Sequence, residues 1–191
     1  MPLKSQWQSN KKYQKKFMEE SLIEKLRQKE DKAQEYFYKT YAKGMFLLCY
    51  RYLNDEEEAS EILNDGFYKV FTQINKFQNG GISGLTAWTK KIMINECLQH
   101  IRKRKDLQFV GTENLKTEDA DLMPHVELEA EMYFELIKQL PLNYRTVFNL
   151  YVIEGYSHKE IADILEVSEN TSRSHLLRAR EILKEKIQLH L

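Results

Sequence analysis

The chain has 191 residues, room for one large domain or two small ones. Hydrophobic residues make up 42% and aromatics 12%, enough for packed cores, while only 7 Gly and 3 Pro amid abundant Leu, Glu and Lys favour helices. The 29 basic and 29 acidic residues balance; no apolar run approaches the ~20 residues of a membrane span and no signal-like stretch opens the chain, so a cytoplasmic, all-α protein is expected.

The zero net charge hides segregation. Residues 1–16 hold Lys4, Lys11, Lys12, Lys15 and Lys16 without an acid, and read as a basic, disordered arm. A helix is expected from about Phe17, with Leu22, Ile23 and Leu26 turned inward. The next runs from Ala33 to Leu53, where Phe37, Tyr41, Met45, Leu48 and Tyr52 form an apolar stripe at helical spacing. Asn54-Asp55 marks a turn. Glu56 to Ile74 is a third helix, with Ile62, Leu63, Phe67, Val70, Phe71 and Ile74 inward and Glu58, Glu61, Asn64, Asp65 and Lys69 outward. Gly66 lies inside it at a cost of about 1 kcal/mol relative to Ala, which suggests close packing.

Phe77 to Thr86, FQNGGISGLT, contains three glycines and reads as a loop. A helix is expected from Ala87 to about Arg104, with Trp88, Ile92, Asn95 and Leu98/Gln99 on one face. Arg102, Lys103, Arg104 and Lys105 bring positive charge to its C-terminal end. Residues 106–125 lack periodicity and read as a linker. Glu113, Glu118, Asp119, Asp121, Glu127, Glu129, Glu131 and Glu135, against Lys116 alone, make residues 112–135 acidic. From Val126 a helix carries Leu128, Met132, Leu136 and Leu140. Pro141 breaks it or starts the next, and Val147, Leu150 and Tyr151 continue the pattern to Gly155, a C-cap candidate.

Residues Gly155 to Arg180 read as helix, tight turn, helix. Ser157 and Glu160 form a capping box, and Ile161, Ala162 and Leu165 give one apolar stripe. Ser168 caps a second helix with Leu176, Ala179 and Leu183 inward. Its other face carries Asn170, Thr171, Arg173, Ser174 and Arg178. This is the layout of a DNA-reading helix-turn-helix, and also that of an ordinary helical hairpin with a solvated face. Cys49 and Cys97 lie apart in apolar patterns and read as small buried residues. There is no nucleophile–base pair, metal-ligand spacing or phosphate-binding loop; the glycines at 80–84 lack the Gly-Lys-Ser/Thr ending. No catalytic residue, metal or cofactor is expected.

Over roughly Ser21 to Lys186 the chain resembles the extracytoplasmic-function (ECF) sigma factors, two-domain promoter-recognition subunits of bacterial RNA polymerase. The resemblance is carried by EASEILNDGFYKVF, the glycine loop and AWTKKIMINECLQHIRKRK. It continues in LPLNYRTVFNLYVIEGYSHKEIADILEVSENTSRSHLLRARE. It implies two small helical domains joined by a flexible acidic linker: region 2 over residues 17–105, a linker over 106–125, and region 4 with the helix-turn-helix over 126–191. By the same resemblance Glu61, Asn64 and Asp65 would dock on the clamp coiled coil of the polymerase largest subunit, in place of the usual Asp, Gln and Glu. Phe77 and Asn95 would line a pocket for a flipped −10 base beside a specificity loop at Gln78–Thr86, and Arg102, Lys103, Arg104 and Lys105 would follow the phosphates. Asn170, Thr171, Arg173, Ser174, Leu177 and Arg178 would contact the −35 element. Ser172 stands where an inward Val is usual, which should weaken packing, and His175 stands where Arg is usual. The implied partners are core polymerase (clamp coiled coil and flap), promoter DNA and an anti-sigma factor, membrane-bound or not. The competing readings are a sigma-mimicking adaptor for an anti-sigma factor and an autonomous helix-turn-helix regulator.

Overall fold

The computed structural model describes residues 21–78, 80–108 and 128–190. The basic arm at 1–16, the helix start at Phe17, most of the linker and Val126 lie outside the described residues. The chain divides into two compact units, Met1–Leu107 and Gln108–Leu191. All described regular structure is helical.

In the N-terminal unit a short helix α1 (residues 21–27) precedes α2 (Asp31–Leu53) and α3 (Glu56–Gln73). The turn between α2 and α3 is encoded locally. Asn54 takes the left-handed conformation that ends α2, at φ 56°, and its N–H returns to the Tyr50 carbonyl. Asp55 then caps α3 by accepting a hydrogen bond from the Glu58 N–H at 2.9 Å. So short a turn folds α3 back along α2. Phe37, fully buried, meets Phe67 and Phe71 edge-on at 6.1 and 6.4 Å and Tyr41 at 4.6 Å. Ile23 and Leu26 of α1 are buried as expected; Leu22, Tyr41 and Phe71 are only half-buried.

A 3-10 turn (Ile74–Lys76) leads to α4 (Gly81–Gln108). This helix corrects two expectations. It begins at Gly81, not Ala87, so residues 81–86 of the expected loop are its first turns. It also continues through residues 106–108, assigned above to the linker. The early start is built by Gly80, at φ +133°, whose carbonyl accepts from the Gly84 N–H at 2.9 Å. A Cβ at Gly80 would lie 3.0 Å from the Gly84 Cα. The glycines that signalled a loop thus form a helix start. The core face of α4 is Leu85, Met93, Ile94, Cys97, Leu98 and Ile101. Leu98 belongs there, not with Asn95 on the outer face.

Three contacts fix α3 against α4. Gly66 faces Met93 so closely that a Cβ would lie 2.2 Å from the Met93 Sδ. Lys69 pairs with the nearly buried Glu96 at 2.6 Å. Glu58 accepts from Arg104 at 3.0 and 3.1 Å and meets His100 at 3.4 Å. Cys49 and Cys97 are free thiols, both fully buried. Their hydrogen bond and burial push the Cys97 thiol well up, so it is a poor nucleophile.

The C-terminal unit comprises α5 (Leu128–Lys138), α6 (Leu142–Phe148), a π turn (Asn149–Ile153), α7 (His158–Leu165) and α8 (Glu169–His190). Leu136, Leu140, Val147, Leu150, Ile161, Leu176 and Ala179 form the core, with Leu165 and Leu183 half-buried. Buried Arg145 donates to the Lys138 and Leu140 carbonyls, closing the end of α5 before Pro141. Gly155 takes φ +78° after the π turn, and the Tyr156 N–H returns to the Leu150 carbonyl.

The Gly66–Met93 contact gives a stability prediction. In Gly66→Ala, crowding against a fully buried Met93 costs about 1–3 kcal/mol and recovered helix propensity returns about 1 kcal/mol. Urea denaturation is expected to show a net loss of up to about 2 kcal/mol. Shortening the opposing side chain with Met93→Ala in the same chain is expected to give a double mutant more stable than the sum of the two single losses.

Candidate nucleic-acid interface

Glu61, Asn64 and Asp65 are all exposed on the outer side of α3. Asn64 is oriented by the neighbouring helix: the Tyr38 hydroxyl donates to its Oδ1 at 3.3 Å, while the Tyr38 ring packs on Phe67 at 4.7 Å. Tyr68, 70% exposed, projects from the same side, seven residues after Glu61. Glu61, Asn64, Asp65 and Tyr68 follow the i, i+3, i+4, i+7 spacing of one helix face, the signal by which the sequence marks Tyr68.

The −10 candidates separate into two kinds. Phe77 is buried, only 6% exposed, and its ring lies 5.8 Å from Trp88. Its backbone is held by α1, where the Arg27 guanidinium donates to the Phe77 carbonyl at 3.0 Å. Phe77 is therefore a buried packing residue beside Trp88, and the more exposed members of this stripe are Trp88 and Ile92, both half-buried. Asn95 is exposed one turn further along the same stripe. Arg102, Lys103 and Arg104 are exposed on the last turns of α4; the Lys105 side chain is outside the described residues. Arg104 is aimed by Glu58, whose two carboxylate oxygens both accept from its Nη1.

In the helix-turn-helix the expected local signals are present. Ser157 Oγ accepts from the Glu160 N–H at 3.2 Å and the Glu160 carboxylate accepts from the Ser157 N–H at 2.8 Å, completing the capping box. The three-residue turn holds Glu166 at φ 56°, and Ser168 caps α8 by accepting from the Thr171 N–H at 3.0 Å. The Thr171 hydroxyl joins this cap, 2.8 Å from Ser168 Oγ. Asn170, Arg173, Ser174, Leu177 and Arg178 are exposed on α8, Leu177 by 59%. Arg173 pairs with Glu169 at 3.0 Å and Arg178 with Glu181 at 2.7 Å. Exposed pairs of this kind are worth at most about 1 kcal/mol and exchange readily for a phosphate or base.

The structure corrects the expectation at Ser172. The side chain is fully buried, but its hydroxyl lies 2.9 Å from His158 Nδ1, so the polar group has a partner and packing is not simply weakened. The His158 ring stacks on Tyr151 at 4.3 Å and 22°. His175 packs edge-on against Tyr144 at 5.3 Å. Among the described residues no group of His, Cys, Asp and Glu is arranged to hold a metal, and no helix is long and apolar enough to cross a membrane.

Two exposed faces on a four-helix unit, followed by a capped helix-turn-helix, are the parts of a sigma-70-type factor. The sigma-70 region 2 family model matches residues 37–106 and the sigma-70 region 4 model residues 130–183. The chain is 27% identical over 184 residues to the RNA polymerase sigma-H factor of Pseudomonas aeruginosa, covering 89% of this chain and 94% of that one. It is 28% identical over 162 residues to the ECF RNA polymerase sigma factor SigW of Bacillus subtilis, covering 78% and 85%. The fold is similar to that of the sigma factor RpoE in its complex with the anti-sigma factor NepR from Bartonella quintana. The TM-score is 0.51 at 22% identity, over 81% of this chain and 96% of that one. The chain belongs to the ECF sigma factors.

Burial, with Arg173 and Arg180 nearby, holds the His158 imidazole below its ordinary range, Glu169 partly opposing. A lowered folded value means the unfolded chain binds the proton more readily. The stabilisation is therefore complete above the unfolded value of about 6.5 and is lost as pH falls through it and then through the lowered folded value. Amide exchange protection in α7 and α8 is expected to fall between pH 7.5 and 5.5 in the natural chain, and to fall less in His158→Phe.

Proposed function

We infer that the chain binds core RNA polymerase and directs it to promoters, where it recognises and melts DNA and starts transcription. The observation that carries this is the presence of region 2 and region 4, in that order, on one chain, with Glu61, Asn64, Asp65 and Asn95 exposed in the first and Asn170, Arg173, Ser174, Leu177 and Arg178 in the second. Glu61, Asn64 and Asp65 would meet the polymerase largest subunit, and region 4 its flap. Asn95 with Trp88, Ile92 and the supporting Phe77 would receive an extruded −10 base, whose release from the stack costs a few kcal/mol. Arg102, Lys103, Arg104 and Lys105 would track phosphates. Asn170, Thr171, Arg173, Ser174, Leu177 and Arg178 would read the −35 major groove. The chain acts in the cytoplasm as a non-catalytic initiation factor and is held inactive by an anti-sigma factor.

Region 2 would run to the end of α4 at Gln108 and region 4 would include α5 to α8, with the acidic linker between two DNA-reading heads. A partner that fixes their spacing removes the ordering cost of simultaneous engagement. The free chain is therefore expected to bind promoter duplex poorly and to become specific only with core polymerase. The test is transcription by core polymerase with and without the chain, start sites being mapped genome-wide, alongside DNA titrations at one salt concentration. Tight, specific DNA binding by the free chain, unaided by core, would favour an autonomous regulator.

Two substitutions separate the interfaces. Asp65→Lys places a positive charge on an exposed helix position and is expected to weaken core binding by roughly 1–3 kcal/mol while helicity is kept. Titration against core, with circular dichroism as the folding control, measures it. Arg173→Ala is expected to cost about 1–3 kcal/mol at the cognate promoter and relax preference at one −35 base pair, if the contact is bidentate to guanine. Unchanged base preference in that variant would remove Arg173 from the reading set.

A further inference from the structure

We propose that His158 and Ser172 form a positioning pair that sets the rotation of α8, and through it the −35 base preference of the chain. The proposal rests on the reading that α8 enters the major groove. Ser172 is fully buried between the outward-facing Asn170 and Arg173 of the same helix. Its hydroxyl meets the Nδ1 of His158, the first residue of α7, at 2.9 Å. That residue is itself fixed twice. The capping box holds the backbone just before it, and Tyr151 of the π turn covers its ring at 4.3 Å. Three elements therefore meet at one imidazole, and its contact with Ser172 of α8 is a directional hydrogen bond.

Direction is what an apolar pair at these positions would lack. A Val in place of Ser172 would fill space but leave the angle of α8 to packing alone. A rotation of roughly 20° carries a side chain at the helix surface, about 5–6 Å from the axis, through about 2 Å. Hydrogen bonds to base edges do not survive such a displacement. Arg173 is the neighbour of Ser172 in sequence, so any slip at the buried hydroxyl is passed directly to the groove-facing guanidinium.

The charged and titratable groups around His158 are Glu169, Arg173 and Arg180 of α8, Tyr151 of the π turn, and Lys159 and Glu160 of its own helix, Glu160 being engaged in the capping box. A neutral imidazole either accepts from or donates to the Ser172 hydroxyl at Nδ1, whereas a protonated ring only donates. Protonation therefore restricts the pair to one hydrogen-bond direction and places a positive charge near Arg173 and Arg180 on a half-buried ring, Glu169 partly opposing.

The test uses the full chain with core polymerase and a promoter library randomised in the −35 element with the −10 element fixed. Ser172→Ala and His158→Phe are each expected to flatten the −35 preference by about fivefold or more, and the double variant to be no flatter than either single one. Ser172→Thr, which keeps the hydroxyl, is expected to retain the preference. Core affinity and −10 preference are expected to stay as in the natural chain. If Ser172→Ala does not fold, Ser172→Cys keeps the volume and weakens the hydrogen bond for the same comparison. Losses that add in the double variant, or full preference in a folded Ser172→Ala, would overturn the pair while leaving the groove reading intact. A natural chain indifferent to the −35 sequence would overturn both.

Discussion

The approach of α3 to α4 at Gly66 governs the N-terminal unit. A Cβ there would meet the Met93 thioether, so the seating of this buried side chain against α3 uses the space that glycine leaves. Along the same seam Lys69 reaches Glu96, and Glu58 reaches His100 and Arg104. With this side of α3 committed to α4, and Phe67 and Val70 committed to the core, Glu61, Asn64, Asp65 and Tyr68 remain for solvent or a partner. A helix has one circumference, and the interface is what packing leaves over.

The C-terminal unit relies more on directional polar contacts. Its helices α6 and α7 are short, and short helices have a large share of backbone groups without intrahelical partners. Buried Arg145 serves the end of α5, Ser157 and Glu160 the start of α7, and Ser168 with Thr171 the start of α8. Each contact also fixes an angle, which apolar packing alone leaves loose. The His158–Ser172 hydrogen bond belongs to this set and joins the two helices of the turn motif.

Charge is arranged so that basic side chains are held without being neutralised deeply. Arg104, Arg173 and Arg178 each have a carboxylate partner in an exposed or partly exposed setting. Such pairs orient a long side chain at little energetic cost and give way to a phosphate, which offers a comparable geometry. With no net charge to provide long-range attraction, local orientation has greater weight in DNA recognition.

Much of this was legible in the amino-acid sequence because it is local. The Asn54-Asp55 turn, the Ser157–Glu160 box, the Ser168 cap and the apolar stripes of α2, α3 and α8 all follow from residues within a few positions of one another. The order of the two halves identified the family. The glycine run misled because glycine signals freedom of backbone, and here Gly80 and Gly81 spend that freedom on starting a helix. What the tertiary structure alone decided depends on residues distant in the chain: Gly66 against Met93, Arg27 on the Phe77 carbonyl, Cys49 beside Cys97, and Ser172 on His158. Periodicity says which face of a helix is buried. It does not say which partner atom lies across the seam, and a buried hydroxyl is a defect or a designed contact according to that atom alone.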